Sequence, residues 1–172
     1  MAQLALHSCG GASLPIPGAD PWYAAPGDPA LTVMTDFRER SSVTVAEDAT
    51  VDAALEHMRH TGVRCAFAVD QAKRSVVGMI TAYDIMSEKP LRHARSTESP
   101  RHEVRVKDIM LPLAEWRVVD VRELAGATVG EVMRLFDESQ LTHLAVTESA
   151  ADGQRRLRGL LSAAKVRRLL SR

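Results

Sequence analysis

The sequence predicts an α/β (α+β) fold in which two copies of one small unit pack together as a tandem pair. Three observations lead to this prediction: an internal repeat, element periodicities that recur in both copies, and a polar segment between them. Residues 49–70 align with residues 127–148 without a gap, and a short insertion then brings Gly78 onto Gly159. A repeat of this length constrains the fold more than any single motif does.

The sequence of the first copy predicts the element order strand, helix, strand, strand, helix. Residues 43–45 form a short strand, and Thr50 caps a helix that ends at Gly62. Residues 65–69 and 75–80 are apolar runs of strand length, and a short helix follows them. The apolar face of the first helix consists of Val51, Ala54, Leu55 and Met58.

The second copy repeats this order with different side chains. Thr128 and Glu131 have the spacing of a capping box, which begins the first helix of this copy. Residues 143–147 and 157–161 are the next strands, and Ser162 caps the last helix. The apolar helix face is taken here by Val129, Val132, Met133 and Phe136.

Composition divides the chain into four segments. Residues 1–29 are rich in Gly, Pro and Ala, which predicts an extended N-terminal arm. Residues 30–90 hold the first copy, residues 91–103 form a polar linker, and residues 104–172 hold the second copy. A unit of this size cannot bury its own sheet and helices, so we expect the copies to pack sheet to sheet with pseudo-twofold symmetry.

Overall composition is that of an ordinary globular protein, with 45% hydrophobic residues, 26% charged residues and a formal net charge of zero. Zero net charge gives no electrostatic reason to expect nucleic acid or a membrane as partner. No apolar run approaches the roughly 20 residues of a membrane-spanning helix. Because Cys9 and Cys65 do not look like a disulfide pair, we expect free thiols and a cytoplasmic protein.

Each copy resembles a cystathionine-β-synthase (CBS) domain, and the chain resembles a free-standing, bacterial-type CBS pair. The likeness rests on the apolar strand at residues 63–70 and on the Gly-apolar-apolar-Thr-x-x-Asp pattern at residues 78–84. Residues 33–35 and 108–110 resemble the short Val/Ile-Met element that precedes each domain. The likeness covers residues 30–172 and implies a regulatory module that assembles as a homodimer.

The strongest site candidate is the helix start at Thr81. Free backbone N–H groups and the positive end of the helix dipole favour an anionic phosphate there. The resemblance implies that Thr81 contacts phosphate and that Asp84 holds a ribose diol. The same Thr-x-x-Asp spacing is also a capping box, which would only stabilise the helix, so both interpretations stay open.

The second copy departs from this pattern, because Lys165 stands where the first copy has Asp84. Lysine cannot accept a hydrogen bond from a diol, so either this half-site has lost ribose recognition or Lys165 binds phosphate. Ser162 keeps the hydroxyl, and we expect one competent nucleotide site, around Thr81 and Asp84. The resemblance places the base near Arg64, Cys65 and Ala66 of the first copy and near Thr142 and His143 of the second.

These patterns predict a regulatory binding module with no enzymatic activity and no required cofactor. AMP, ADP, ATP and S-adenosylmethionine are the implied ligands, and an effector protein of unknown identity or self-association carries the output. The alternative is a structural dimerisation module with degenerate pockets. Nucleic-acid binding through the basic residues 153–172 is less favoured, because no aromatics are interleaved there. His57 and His60 lack a third metal ligand, so no metal site is predicted.

Overall fold

Two four-stranded sheets, each covered by helices, make up the computed structural model, which describes residues 22–150 and 154–171. Most of the predicted arm, with Cys9, lies outside the described residues. The strands are β1 (Thr35–Asp36), β2 (Thr44–Ala46), β3 (Cys65–Asp70), β4 (Ser75–Thr81), β5 (Leu111–Pro112), β6 (Val118–Asp120), β7 (His143–Ser149) and β8 (Arg155–Ser162). The α-helices are α1 (Val51–Thr61), α2 (Ala82–Met86), α3 (Lys89–Ser96), α4 (Val106–Ile109), α5 (Val121–Ala125), α6 (Val129–Ser139) and α7 (Ala163–Leu170).

The two copies share one topology, which confirms the predicted fold class. The first-copy sheet has the strand order β2-β3-β4-β5, and the second-copy sheet has the order β1-β8-β7-β6. In both sheets a short parallel strand lies beside an antiparallel pair. Cys65 lies opposite Thr81 in the first sheet, and His143 lies opposite Ser162 in the second. These two pairs therefore occupy equivalent positions.

Each sheet gains one of its edge strands from the segment that precedes the other copy in the sequence. Strand β1, which precedes the first copy, pairs with β8, and β5, which precedes the second copy, pairs with β4. Gly159 and Gly78 allow this close approach. A Cβ at Gly159 would lie 2.7 Å from the carbonyl oxygen of Thr35, and one at Gly78 would lie 2.8 Å from that of Leu111.

The buried side chains of the two cores show the same exchange between the copies. Ala30 and Val33 are fully buried in the second-copy core, whereas Val104 and Val106 are buried in the first-copy core. The internal repeat did not indicate this exchange, because a repeat shows the order of elements along the chain and not which sheet or core each element joins. The predicted boundaries of the copies remain predictions, and the segment predicted as a linker includes most of α3.

The copies pack sheet to sheet through an aromatic cluster around Phe67, which is 2% exposed. The Phe67 ring meets Phe37 edge-on at 5.6 Å between ring centroids and Trp116 at 5.7 Å. Phe67 belongs to the first-copy sheet, whereas Leu157 and Leu160 of the same cluster belong to the second-copy sheet. Aromatic pairs at these distances stabilise a contact beyond the area that they bury.

Helix ends follow the sequence signals at α1 and α6. The Thr50 hydroxyl accepts from the N–H of Ala53, and Gly62 ends α1 with a φ of 70°. Thr128 and Glu131 form the predicted capping box at α6. Both long helices bury their predicted faces, apart from two positions. Leu55 and Met133 are only partly buried.

Candidate functional site

A cavity of about 500 Å³ opens between the two copies. The turn after α1 and the start of β3 form its first-copy wall, and β8 with the first turns of α7 forms the opposite wall. Residues before β2 close one side. The lining residues are Thr35, Phe37, Ser41, Val43, Gly62, Val63, Arg64, Cys65, Phe67, His143, Leu160, Ser162, Ala164, Lys165 and Arg168.

Five of the predicted site residues meet in this cavity: Arg64, Cys65, His143, Ser162 and Lys165. The four others do not belong to its lining. Thr81 is buried at the end of β4, Ala66 faces the first-copy core, Thr142 is exposed, and Asp84 lies in the first turn of α2. The cavity therefore opens at the half-site of the second copy.

The half-site of the first copy is occupied by its own side chains. One carboxylate oxygen of Asp84 accepts from the backbone N–H of Thr81 at 3.0 Å and from its hydroxyl at 2.6 Å. The other oxygen accepts from Nζ of Lys89 at 2.5 Å. Asp84 thus acts as a capping-box partner, as one of the two sequence interpretations predicts, and its role toward ribose stays a prediction.

The equivalent helix start in the second copy has no capping box among the described residues. Ser162 occupies the N-cap of α7, but its hydroxyl makes no capping hydrogen bond in the described part of the chain. Ser162 therefore stands at the predicted N-cap position, but it does not cap the helix with its side chain. At α2 and α6 the threonine hydroxyl donates to the carboxylate three residues on, and Lys165 offers no acceptor at that position.

The charge of the cavity is positive. Arg64 contributes a guanidinium from the first copy, and Lys165 and Arg168 contribute two more cations from the second. None of the described lining residues is acidic. Nη1 of Arg64 lies 3.3 Å from the hydroxyl oxygen of Tyr83, which is a neutral partner. Such a cavity favours an anionic ligand over a neutral one.

Two buried titratable groups stand at equivalent positions on the cavity wall. Burial lowers the pKa of His143 to about 4, with the Asp84 carboxylate opposing and Arg64 reinforcing this shift. Burial also raises the pKa of the Cys65 thiol to about 12, and the charge of Asp84 adds to the rise. At neutral pH both side chains are therefore uncharged. Because Asp84 affects both pKa values, its field reaches the cavity although its carboxylate does not line it.

Sequence reasoning did not place two side chains of this region, Arg168 and Lys89, at the candidate site. Arg168 stands three residues after Lys165, so helical spacing alone places both on one face of α7, and this signal was available. The contact of Lys89 with Asp84 depends on how α3 folds back beside α2, which no local pattern indicates.

No cluster of three or more His, Cys, Asp or Glu side chains that could hold a metal ion occurs within residues 22–150 and 154–171. Of the helices in the described part of the chain, none has the length and apolar character needed to cross a membrane.

Comparison with known proteins agrees with this architecture. The family model for the CBS domain matches residues 32–90. The CBS-pair protein CBSX2 from Arabidopsis thaliana is 25% identical with a TM-score of 0.52, covering 83% of this chain and 93% of that one. CBSX2 in complex with AMP gives 24% identity, a TM-score of 0.54, and coverage of 85% and 94%.

A bacterial structure is similar to the same degree. A putative signal-transduction protein with CBS domains from Burkholderia ambifaria is 25% identical with a TM-score of 0.52, covering 74% of this chain and 80% of that one. The search of curated proteins finds no significant match. Residues 32–90 thus match the CBS domain, and the chain as a whole has the fold of a CBS-domain pair.

Proposed function

We propose that this protein is a regulatory binding module without enzymatic activity, and that it senses an adenosine-type nucleotide in the cavity between its two copies. The observation that carries the proposal is the cavity itself: both copies build it, three cations line it, and no described lining residue is acidic. The similar protein CBSX2 was crystallised with AMP, which makes adenine nucleotides the first class to test.

The mechanism is a shift between arrangements of the two copies. A ligand that touches Arg64 on one copy and Lys165 on the other binds best to the arrangement that brings both within reach. Binding therefore favours that arrangement by the difference in affinity between the two states. The output passes through an effector protein or through self-association.

Ligand binding is expected to raise the melting temperature. A ligand at 100 times its dissociation constant stabilises the native state by about 2.7 kcal/mol, or about 5–10 °C for a chain of this size. The measurement is a calorimetric screen of AMP, ADP, ATP and S-adenosylmethionine against the purified protein. Absence of any shift at millimolar concentrations of all four ligands contradicts nucleotide sensing.

A second candidate function is self-association through the first copy. A groove of about 520 Å³ lies between α1 and α2, and its rim carries Tyr83 at 42% exposure and Met86 at 62%. Leu55, the least buried position of the α1 face, lines the same groove. We propose that a second copy of the chain covers this apolar surface and forms the homodimer.

The substitution Met86→Lys tests the homodimer. A charge that is buried in an apolar contact costs its desolvation, so the variant is expected to shift from dimer to monomer in analytical ultracentrifugation. Leu113→Lys serves as the matched control, because Leu113 is exposed at 48% and is not among the residues that line this groove. A wild-type chain that sediments as a monomer at high concentration contradicts the dimer.

A further inference from the structure

The two half-sites differ in the charge of the side chain three residues after the helix N-cap, which is negative at Asp84 and positive at Lys165. In the first copy the Asp84 carboxylate receives the Thr81 hydroxyl and backbone N–H, so a negative group from the chain already fills that place. In the second copy Lys165 replaces it, and the Ser162 hydroxyl makes no capping bond within residues 154–171. At the third helix position, the second half-site therefore has a cation where the first one has the carboxylate of Asp84.

Three cations surround this place from two sides. Lys165 and Arg168 stand one turn apart on α7, and Arg64 faces them from the loop before β3. No carboxylate in the described part of the chain forms an ion pair with Arg64 or Arg168. Guanidinium groups bind phosphate oxygens with two parallel hydrogen bonds, which makes this set suited to more than one phosphate group.

A buried polar side chain points to the same ligand position. His143 lines the cavity with only 7% of its surface exposed, and its Nδ1 lies 3.1 Å from the hydroxyl oxygen of Thr142. Its other ring nitrogen, Nε2, makes no hydrogen bond to any residue that the structure describes. If the Thr142 hydroxyl donates to Nδ1, the neutral ring carries its proton on Nε2 and donates into the cavity.

We propose that this cavity recognises its ligand by a di- or triphosphate group held by Arg64, Lys165 and Arg168, and that it does not require a ribose diol. The inference rests on the proposed function, since it names the ligand chemistry of the same cavity. Its basis is that the described lining contains cations, hydroxyls and an imidazole but no carboxylate to accept from a diol. The ligand class is a nucleoside di- or triphosphate, in its ribo or deoxy form.

Isothermal titration with AMP, ADP, ATP and 2′-deoxy-ATP tests the proposal on the full chain. Affinity is expected to rise by about tenfold or more from AMP to ATP, because each added phosphate gains charge-assisted hydrogen bonds. Deoxy-ATP is expected to bind within about threefold of ATP. AMP as tight as ATP, together with a loss of more than tenfold for deoxy-ATP, overturns the inference and leaves nucleotide sensing intact.

Variants and an inorganic probe locate the contacts. Lys165→Gln and Arg168→Gln are each expected to weaken ATP binding by about tenfold. The control Arg167→Gln is expected to bind as the wild type does, because Arg167 pairs with Asp137 and does not line the cavity. Wild-type affinity in both cavity variants overturns the inference.

Inorganic tripolyphosphate separates this inference from the proposed function. Competition with ATP at a higher dissociation constant supports both. Affinity equal to that of ATP supports the phosphate recognition and contradicts adenosine sensing. Failure of every nucleotide and of tripolyphosphate to bind overturns both.

Discussion

The substitution Gly159→Ala is expected to lower the free energy of unfolding by about 1–3 kcal/mol, the usual range for an overpacked site. The new Cβ would stand 2.7 Å from the carbonyl oxygen of Thr35 and 2.7 Å from Sδ of Met34. The methionine side chain can move aside, but the backbone oxygen belongs to β1, which pairs with β8 at this point. The strand must shift, so its ladder hydrogen bonds are strained. Urea denaturation measures the change.

Two comparisons separate this mechanism from a general effect of adding a methyl group. Gly126→Ala is the matched control, since the nearest atom to its new Cβ lies at 3.7 Å and its φ of −90° suits any residue. Met34→Ala in the Gly159→Ala background is expected to restore little stability, because the clash with Thr35 remains. Full rescue by Met34→Ala contradicts the backbone explanation and assigns the cost to side-chain packing.

Acidification is expected to destabilise the protein through His143 by about 2–3 kcal/mol between pH 7.5 and pH 4.5. Burial lowers the pKa of His143 from 6.5 to about 4. The unfolded chain therefore binds a proton on this residue below pH 6.5, whereas the folded chain resists it until about pH 4. Stability from this group is complete above pH 6.5 and falls as the pH drops through that window. The neighbouring charges are Asp84 and Arg64, which act in opposite directions.

The variant His143→Gln isolates this contribution, because glutamine is polar and does not titrate. Its free energy of unfolding is expected to fall less steeply than that of the wild type between pH 6.5 and pH 4.5. His57→Gln is the control, since His57 is exposed on α1, and it is expected to follow the wild-type profile. Parallel profiles for the wild type and His143→Gln would show that burial does not suppress protonation of this histidine.

Local signals in the sequence were sufficient for the two long helices, the antiparallel strand pairs and the fold class. Thr50 and Gly62 bound α1 because capping depends on a few neighbouring backbone groups, and the repeat then transferred the pattern to the second copy. The small size of the repeat unit, which cannot bury its own sheet and helices, added the pairing of two such units. Helical periodicity also predicted which residues of α1 and α6 are buried, apart from Leu55 and Met133.

Local sequence signals did not predict where the open cavity lies. The sequence favoured a site around Asp84, because a carboxylate after a hydroxyl suits a ribose. In the folded chain that carboxylate accepts from Thr81 and Lys89, and the contact with Lys89 requires α3 to return beside α2. The exchange of β1 and β5 is likewise a tertiary feature, since two-residue strands have no pattern of their own.

That exchange has a consequence for how the molecule melts. Each half lends its neighbour an edge strand and several interior side chains, so neither half can open without stripping the other of part of its core. Heat or urea is therefore expected to produce a single cooperative transition rather than two. A ligand that tightens one half then protects backbone amides in both, so hydrogen exchange is expected to slow far from the cavity as well as beside it.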